Sequence, residues 1–382
     1  MTSIELFAGA GGLGIGLHKA GFQPIKVIEW DRYCCDTIRE NKKRKVRSVL
    51  SWPVYQSDVK TISYFKLAGS VDLVSGGPPC QPFSLGGKHR AYDDTRDMFP
   101  EAIRAVRETQ PKAFIFENVK GLTRQSFRNY FEYIRLQLEH PTVTRKNEEN
   151  WIDHYKRLER HHTSGARYDL QYNVVTRVLN AANYGIPQKR ERVFFVGFRN
   201  DLGIEWNFPQ ESHSFDALIW SQVNEASYWD KHKVSKKCRI INPKLKQRSL
   251  ELTEKPETLA WRTVRDAISD LPLPDNDSFL NHRFQPGART YPGHTGSPMD
   301  EPAKTLKAGV HGVPGGENML ALPNGQVRYF TVRESARLQT FPDNYLFLGS
   351  WSEIMRQLGN AVPVELAKLI GTHVAKHLTE SA

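Results

Sequence analysis

The sequence predicts an α/β protein in which a parallel sheet with helices on both faces is joined to a second, smaller lobe. Three observations lead to this reading. Over residues 2–200, short apolar and β-branched runs alternate with segments of helical spacing, the pattern of strand–helix–strand units. At 382 residues the chain is longer than one average domain. After about residue 200 the alternation stops, and Pro, Gly, Asn, Lys and Trp dominate through residue 330.

The elements follow in order. "SIELFAG" is an apolar strand ended by glycine, and "GIGLHKAGF" a helix with a glycine stop. "PIKVIEWD" and "RYCCDTIRENKKR" form the next strand and helix. "VDLVSGG" is a third apolar run. "DMFPEAIRAVRETQP" places Met98, Ile103 and Val106 at helical spacing. "KAFIFENV" is a strand, and "FRNYFEYIRLQLEH" a helix whose aromatics read as core. "YNVVTRVLN" and "RVFFVGFR" close the series. Residues 143–168 are charged and weakly apolar and read as a mostly solvated insertion. Helical pattern returns at "TVRESARLQTF" and "VPVELAKLIGTHVAKHL".

Composition narrows the function classes. Lys and Arg number 53 against 42 Asp and Glu, for a formal charge of +11, which favours a polyanionic partner such as nucleic acid. No apolar run is long enough to span a bilayer. No basic stretch followed by an apolar run opens the chain, and the first strand leaves no room for a targeting peptide. A soluble intracellular protein is expected. Cys34, Cys35, Cys80 and Cys238 form no C-x-x-C pair and no Cys/His cluster of zinc spacing, so neither a disulfide framework nor a metal is expected.

Gly9-x-Gly11-x-x-Gly14, in "ELFAGAGGLGIGLHKAGF", matches a dinucleotide-binding turn. Glu29, 20 positions after Gly9 at the end of the second strand, suits a ribose. Together they indicate an adenosine-type ligand and leave open whether it is a nicotinamide cofactor or S-adenosylmethionine.

"VDLVSGGPPCQPFSLGG" narrows the class. Two glycines and two prolines end a strand, at the carboxyl edge where open α/β sheets bind ligands. Cys80 is therefore displayed on a loop. "FIFENVKGL" places Glu117 and Asn118 after another apolar strand, and a carboxylate near a displayed thiol suggests a nucleophile with an acid. Arg190 and Arg192, in "YGIPQKRERVFFVGF", have strand spacing and are expected on one side.

In this order the motifs resemble the cytosine-5 DNA methyltransferases over nearly the whole chain. "FAGAGGLG", "VIEWD" and "SDVKTIS" are similar to that family's first three motifs, "GGPPCQPFS" to its nucleophile motif and "ENVKGL" to its glutamate motif. "QKRERVFFVGFR" is similar to its Q-x-R-x-R motif. "RESARLQTFPDNY" and "QLGNAVPVELA" are similar to its last two motifs. The resemblance implies a Rossmann-like S-adenosylmethionine-dependent methyltransferase fold with a smaller target-recognition lobe. The implied division is 1–200 plus 356–382 for catalysis and cofactor, and 201–355 for recognition.

It also implies transfer of a methyl group from S-adenosylmethionine to carbon 5 of a flipped-out cytosine, through a covalent Cys80 adduct at carbon 6. Cys80, Glu117, Arg190 and Arg192 would be catalytic, with Arg192 closest to the base. Phe7, Gly9, Gly11, Gly12, Glu29, Trp30, Asp58, Pro79, Asn360 and Val362 would hold the cofactor, and no metal is involved. DNA contacts are expected from Gln81, Ser84, Thr305 and Leu306, and from Lys236, Lys237 and Arg239 in the basic run at 230–248.

The implied partners are double-stranded DNA and a restriction endonuclease of the same site, with the enzyme a monomer in the bacterial cytoplasm or nucleoid. Three alternatives remain. A nicotinamide dehydrogenase has no use for the Pro-Pro-Cys-Gln loop. A tRNA cytosine-5 methyltransferase of the same fold is disfavoured by the long second lobe. A silent DNA-binding relative would be expected to lack Cys80 or Glu117.

Overall fold

The computed structural model describes residues 1–79, 97–164, 170–275, 278–292, 294–308, 318–322 and 324–381. The chain packs into two compact units. One comprises Met1–Leu179, Glu191–Pro209 and Ala367–Ala382, the other Asn180–Arg190 and Gln210–Leu366. The sequence-based division at residues 200 and 356 differs from these bounds in three places. Residues 180–190 pack with the second unit, residues 201–209 pack with the first, and at the C-terminal end only the chain beyond residue 366 packs with the first.

The first unit is built on β1 (Thr2–Leu6), α1 (Gly12–Lys19), β2 (Gln23–Glu29), α2 (Arg32–Lys43), β3 (Val54–Gln56), β4 (Leu73–Gly76), α3 (Phe99–Thr109) and β5 (Ala113–Val119). There follow α4 (Arg128–Glu139), α5 (Trp151–Thr163), β6 (Tyr172–Asn180), a short β7 (Gln188–Lys189) belonging to the second unit, and β8 (Glu191–Arg199). The main sheet has the order β3-β2-β1-β4-β5-β8-β6. β1 to β5 run parallel, and the order reverses at β1, between β2 and β4. In such sheets ligands bind outside the carboxyl ends of the strands at that reversal.

β8 departs from the parallel expectation and runs antiparallel to β5. The reason lies in the connection. A parallel return needs a crossover of a dozen or more residues, usually a helix, and only residues 181–190 separate β6 from β8.

The core supports the alternation read from sequence. Ile4, Leu6, Val74, Phe114, Phe116 and Phe195 are buried together. α4 buries Tyr130, Tyr133 and Ile134, as its aromatics predict. The insertion is less solvated than expected. It contains α5, which buries His154 and Leu158. The His154 ring bonds the Tyr133 hydroxyl through Nδ1 and the Val143 carbonyl through Nε2, each at 2.8 Å.

The second unit has short strands and helices. Among its described residues Val264, Ile268, Leu306, Leu320, Phe330 and Leu338 pack as one small core, and Leu218, Tyr228 and Trp229 as another. Its helix Val332–Leu338 starts on a reciprocal cap between Thr331 and Glu334, the S/T-x-x-E signature of a helix start. Among the described residues no helix is long and apolar enough to cross a membrane.

Candidate active site

The glycine turn leaves β1 at the order reversal. Gly9 has φ 55° and Gly11 φ 88°, backbone geometry that glycine adopts at little cost. The glycines divide their work. A side-chain carbon at Gly9 would meet nothing within 4 Å, so the turn is open on its Cα side. A carbon at Gly14 would lie 2.8 Å from the Trp52 ring, so Gly14 lets α1 pack closely.

Glu29 ends β2 beside this turn and is buried. Its Oε2 accepts the Gly9 amide at 2.7 Å and its Oε1 the Asp31 amide at 2.8 Å. Burial raises its pKa, and those amides work against the rise. Trp30, the next residue, is 77% exposed. Asp58 follows β3, and its Oδ1 accepts the Lys60 amide at 3.0 Å. Phe7 takes φ 53° and Gly12 opens α1. An open glycine turn, a carboxylate and an exposed indole on adjacent strand ends fit an adenosine-bearing ligand such as S-adenosylmethionine.

Beneath the turn lies Glu5, a carboxyl that the sequence reading passed over. It is fully buried in β1, where it accepts the Ser75 hydroxyl, and burial pushes its pKa up to about 8. Its signal in the sequence was a lone acid inside an apolar strand.

On the other side of the reversal, β4 ends at Gly76 and leads into Gly77-Pro78-Pro79. Asn118 Nδ2 donates to the Pro78 carbonyl at 2.9 Å, and the Met98 amide donates to the Pro79 carbonyl at 3.1 Å. The segments flanking residues 80–96 are thus tied to β5 and to each other. Cys80, Gln81 and Ser84 lie outside the described residues. Pro79 is exposed.

Glu117 stands near the end of β5, where a carbon added to Gly77 would lie 3.3 Å from its Oε2. Arg192 Nε pairs with Glu117 Oε1 at 2.8 Å, with both side chains largely buried. β8 supplies this arginine because Arg192 is in register with Val119 of β5. Burial lowers the Arg192 pKa, and the Glu117 carboxylate opposes that.

Arg190 has different partners from Arg192, although strand spacing predicts one shared side. It is 1% exposed. Its guanidinium donates to the Leu306 carbonyl at 3.1 Å and the Gly359 carbonyl at 2.7 Å, all within the second unit. Gly359 must be glycine, since a side-chain carbon would come within 2.2 Å of the Ala308 amide.

Leu306, expected at the DNA, lies in the second unit's core with no exposed surface, and its amide donates to Gln188 Oε1 at 3.0 Å. The Thr305 hydroxyl donates to the Lys189 carbonyl at 2.6 Å. Lys236 and Lys237 are exposed in a short 3-10 turn. Arg239 is instead paired with Asp230 at 3.1 Å and also donates to the Val234 carbonyl. Asn360 is exposed and Val362 buried, both in the second unit.

Comparison with known proteins agrees with this chemistry. The family described as C-5 cytosine-specific DNA methylase matches residues 1–141 and 147–376. The Type II methyltransferase M.PspPI of a Psychrobacter species is 32% identical, covering 98% of this chain and 79% of the relative. M.NgoMIV of Neisseria gonorrhoeae, also a Type II methyltransferase, is 30% identical over 99% and 98% of the two chains. Among solved structures, a putative DNA modification methyltransferase from an E. coli prophage superposes with a TM-score of 0.58 at 20% identity, covering 99% of both chains. S. pombe Dnmt2 superposes with a TM-score of 0.56 at 17% identity, over 100% and 99%.

Proposed function

The chain belongs to the C-5 cytosine-specific DNA methylase family and transfers a methyl group from S-adenosylmethionine to carbon 5 of cytosine in DNA; from that premise we propose which residues carry the reaction. The observation that carries the assignment is the Glu117–Arg192 pair beside the Gly77–Pro79 segment that leads into Cys80.

S-adenosylmethionine, when bound, supplies a methyl group on a sulfonium centre. Phe7, Gly9, Gly11, Gly12, Glu29, Trp30, Asp58 and Pro79 of the first unit would hold it, with Glu29 accepting the ribose hydroxyls. The Gly9 turn is open to close approach.

Cys80 is the nucleophile. A free thiol has a pKa of about 8.5 and reacts as the thiolate. Its sulfur bonds to carbon 6 of the base, and the displaced electron pair enriches carbon 5, the methyl acceptor. Glu117 protonates or hydrogen-bonds ring N3 as that addition proceeds. Arg192 fixes the orientation of the Glu117 carboxyl. Once carbon 5 carries the methyl group, its proton passes to water, the freed electron pair restores the carbon 5–carbon 6 double bond, Cys80 leaves as the thiolate, and N3 returns its proton to Glu117. Arg190 is a positioning residue, holding the Thr305–Leu306 segment and Gly359 by their carbonyls.

A stacked base cannot present carbon 6 to a thiol, so the cytosine is flipped out, at a cost of a few kcal/mol. The second unit recognises the duplex, with Lys236 and Lys237 on phosphates. Gln81 and Ser84 meet the DNA near the flipped base. The relatives' Type II names support a companion endonuclease of the same site, and the family resemblance alone suggests a monomer acting in the bacterial cytoplasm or nucleoid.

The test is to methylate a plasmid and a tRNA pool with the purified protein and labelled S-adenosylmethionine, then map 5-methylcytosine by bisulfite sequencing. Label on the plasmid at one recurring sequence is expected. Label on tRNA alone would contradict the reading.

A further inference from the structure

Away from the sheet edge, α4 and α5 bring Glu139, His140 and His162 together. Glu139 ends α4, His140 follows it, and His162 lies in the last turn of α5. His140 Nε2 is 3.0 Å from His162 Nδ1, and that nitrogen is 3.4 Å from Glu139 Oε2. One donor atom from each residue lies within 4.8 Å of the other two. Glu139 and His140 are buried and His162 is exposed.

A hydrogen between the imidazoles serves only that pair. Glu139 Oε2 stays buried with no hydrogen-bond partner, a costly state for a carboxylate oxygen. Its other oxygen accepts from Arg135. A cation held by all three donors would satisfy the oxygen and both nitrogens. Zinc binds histidine nitrogen and carboxylate oxygen at about 2.0–2.2 Å in tetrahedral geometry, which places donors about 3.3–3.6 Å apart. The 3.4 Å separation falls in that range and the 3.0 Å separation lies just below it.

We propose that Glu139, His140 and His162 form a binding site for a zinc-like divalent transition-metal ion, with water as the fourth ligand on the exposed His162 side. Two imidazoles and one carboxylate favour such metals over calcium or magnesium. The site would clip α5, and so the insertion, to α4. Sequence spacing missed it because the histidines are 22 residues apart and no cysteine takes part. His140 Nδ1 is buried without a hydrogen-bond partner. Losing such an orienting partner typically costs 10–100-fold in metal affinity, so binding weaker than at a site with that partner is expected.

The test uses the full chain, stripped with a chelator and titrated with Co²⁺ alone. About one equivalent should bind, with visible ligand-field bands and no near-ultraviolet thiolate band, which separates this site from Cys80 and Cys238. His162→Ala and Glu139→Gln should each weaken binding about 100-fold or more. His162 is exposed, and Leu158 and His154 anchor α5 independently, so His162→Ala should keep its melting temperature and its methyl transfer. Three outcomes would overturn the proposal: His162→Ala titrating like the parent, folded parent protein binding no Co²⁺, or all bound metal showing a thiolate band. The cluster would then be a hydrogen-bonded contact only.

Discussion

Arg192 Nε lies 2.8 Å from Glu117 Oε1, at the ends of two antiparallel neighbours in the main sheet. The pair fixes the carboxyl that we assign to the base's N3. Glu117→Gln keeps the shape and removes the acid, so kcat should fall by about 10²–10⁴-fold, with DNA and cofactor affinities little changed. Arg192→Lys keeps the charge without the planar fork and should fall between the parent and Arg192→Ala. Single-turnover methylation measures both. Equal rates for Glu117→Gln and the parent would remove Glu117 from the chemistry.

Glu29 connects two strand ends through the Gly9 and Asp31 amides. Glu29→Ala should weaken S-adenosylmethionine binding roughly ten- to a hundred-fold, the loss of one charge-assisted contact of about 1.5–3 kcal/mol. DNA binding without cofactor should be unaffected. Calorimetry reads both, and unchanged cofactor affinity would show that Glu29 does not hold the ribose.

Much of this site was legible because apolar strands stop abruptly at glycine, proline or a charged residue, which marks a sheet edge from sequence alone. Gly9, Glu29, Pro79 and Glu117 all stand at such stops. What escaped was direction and depth. The antiparallel course of β8 is set by its short connection rather than its own residues. Arg190 and Arg192, two residues apart, fall in different units with different partners. Leu306 follows a two-residue strand, too short for alternation to tell inside from outside. Asn118 was visible in its motif, but its bond to the Pro78 carbonyl depends on β4 and β5 being neighbours.

The basic run should act unevenly on DNA binding. Each phosphate contact contributes about 0.9 to the slope of log affinity against log salt. Neutralising Lys236 and Lys237, both exposed, should flatten the slope by up to about 1.8. Arg239 is already paired with Asp230, and Arg239→Gln should change it little. Salt titrations by fluorescence anisotropy test this, and an unchanged slope in the double lysine variant would mean that the run faces away from DNA.

Glu5 gives the fold a pH dependence. Burial raises its pKa from 4.5 to about 8, so the folded chain keeps a proton that the unfolded chain releases between those values. Stability from this group is therefore full below about pH 4.5 and falls as pH rises toward 8. The parent should lose a few degrees of melting temperature between pH 6 and pH 8.5 that Glu5→Gln does not lose. Parallel curves would mean that Glu5 is not titrating there.

The most direct test of the mechanism is covalent trapping. A duplex with 5-fluorocytosine at the target carries fluorine where the carbon 5 proton must leave, and fluorine cannot leave as a cation. Protein and DNA should therefore stay joined in denaturant, only with S-adenosylmethionine and the correct sequence, and not with Cys80→Ala. Glu117→Gln should form the adduct far more slowly. No adduct from a preparation that methylates ordinary DNA, or one that persists in Cys80→Ala, would contradict nucleophilic attack by Cys80.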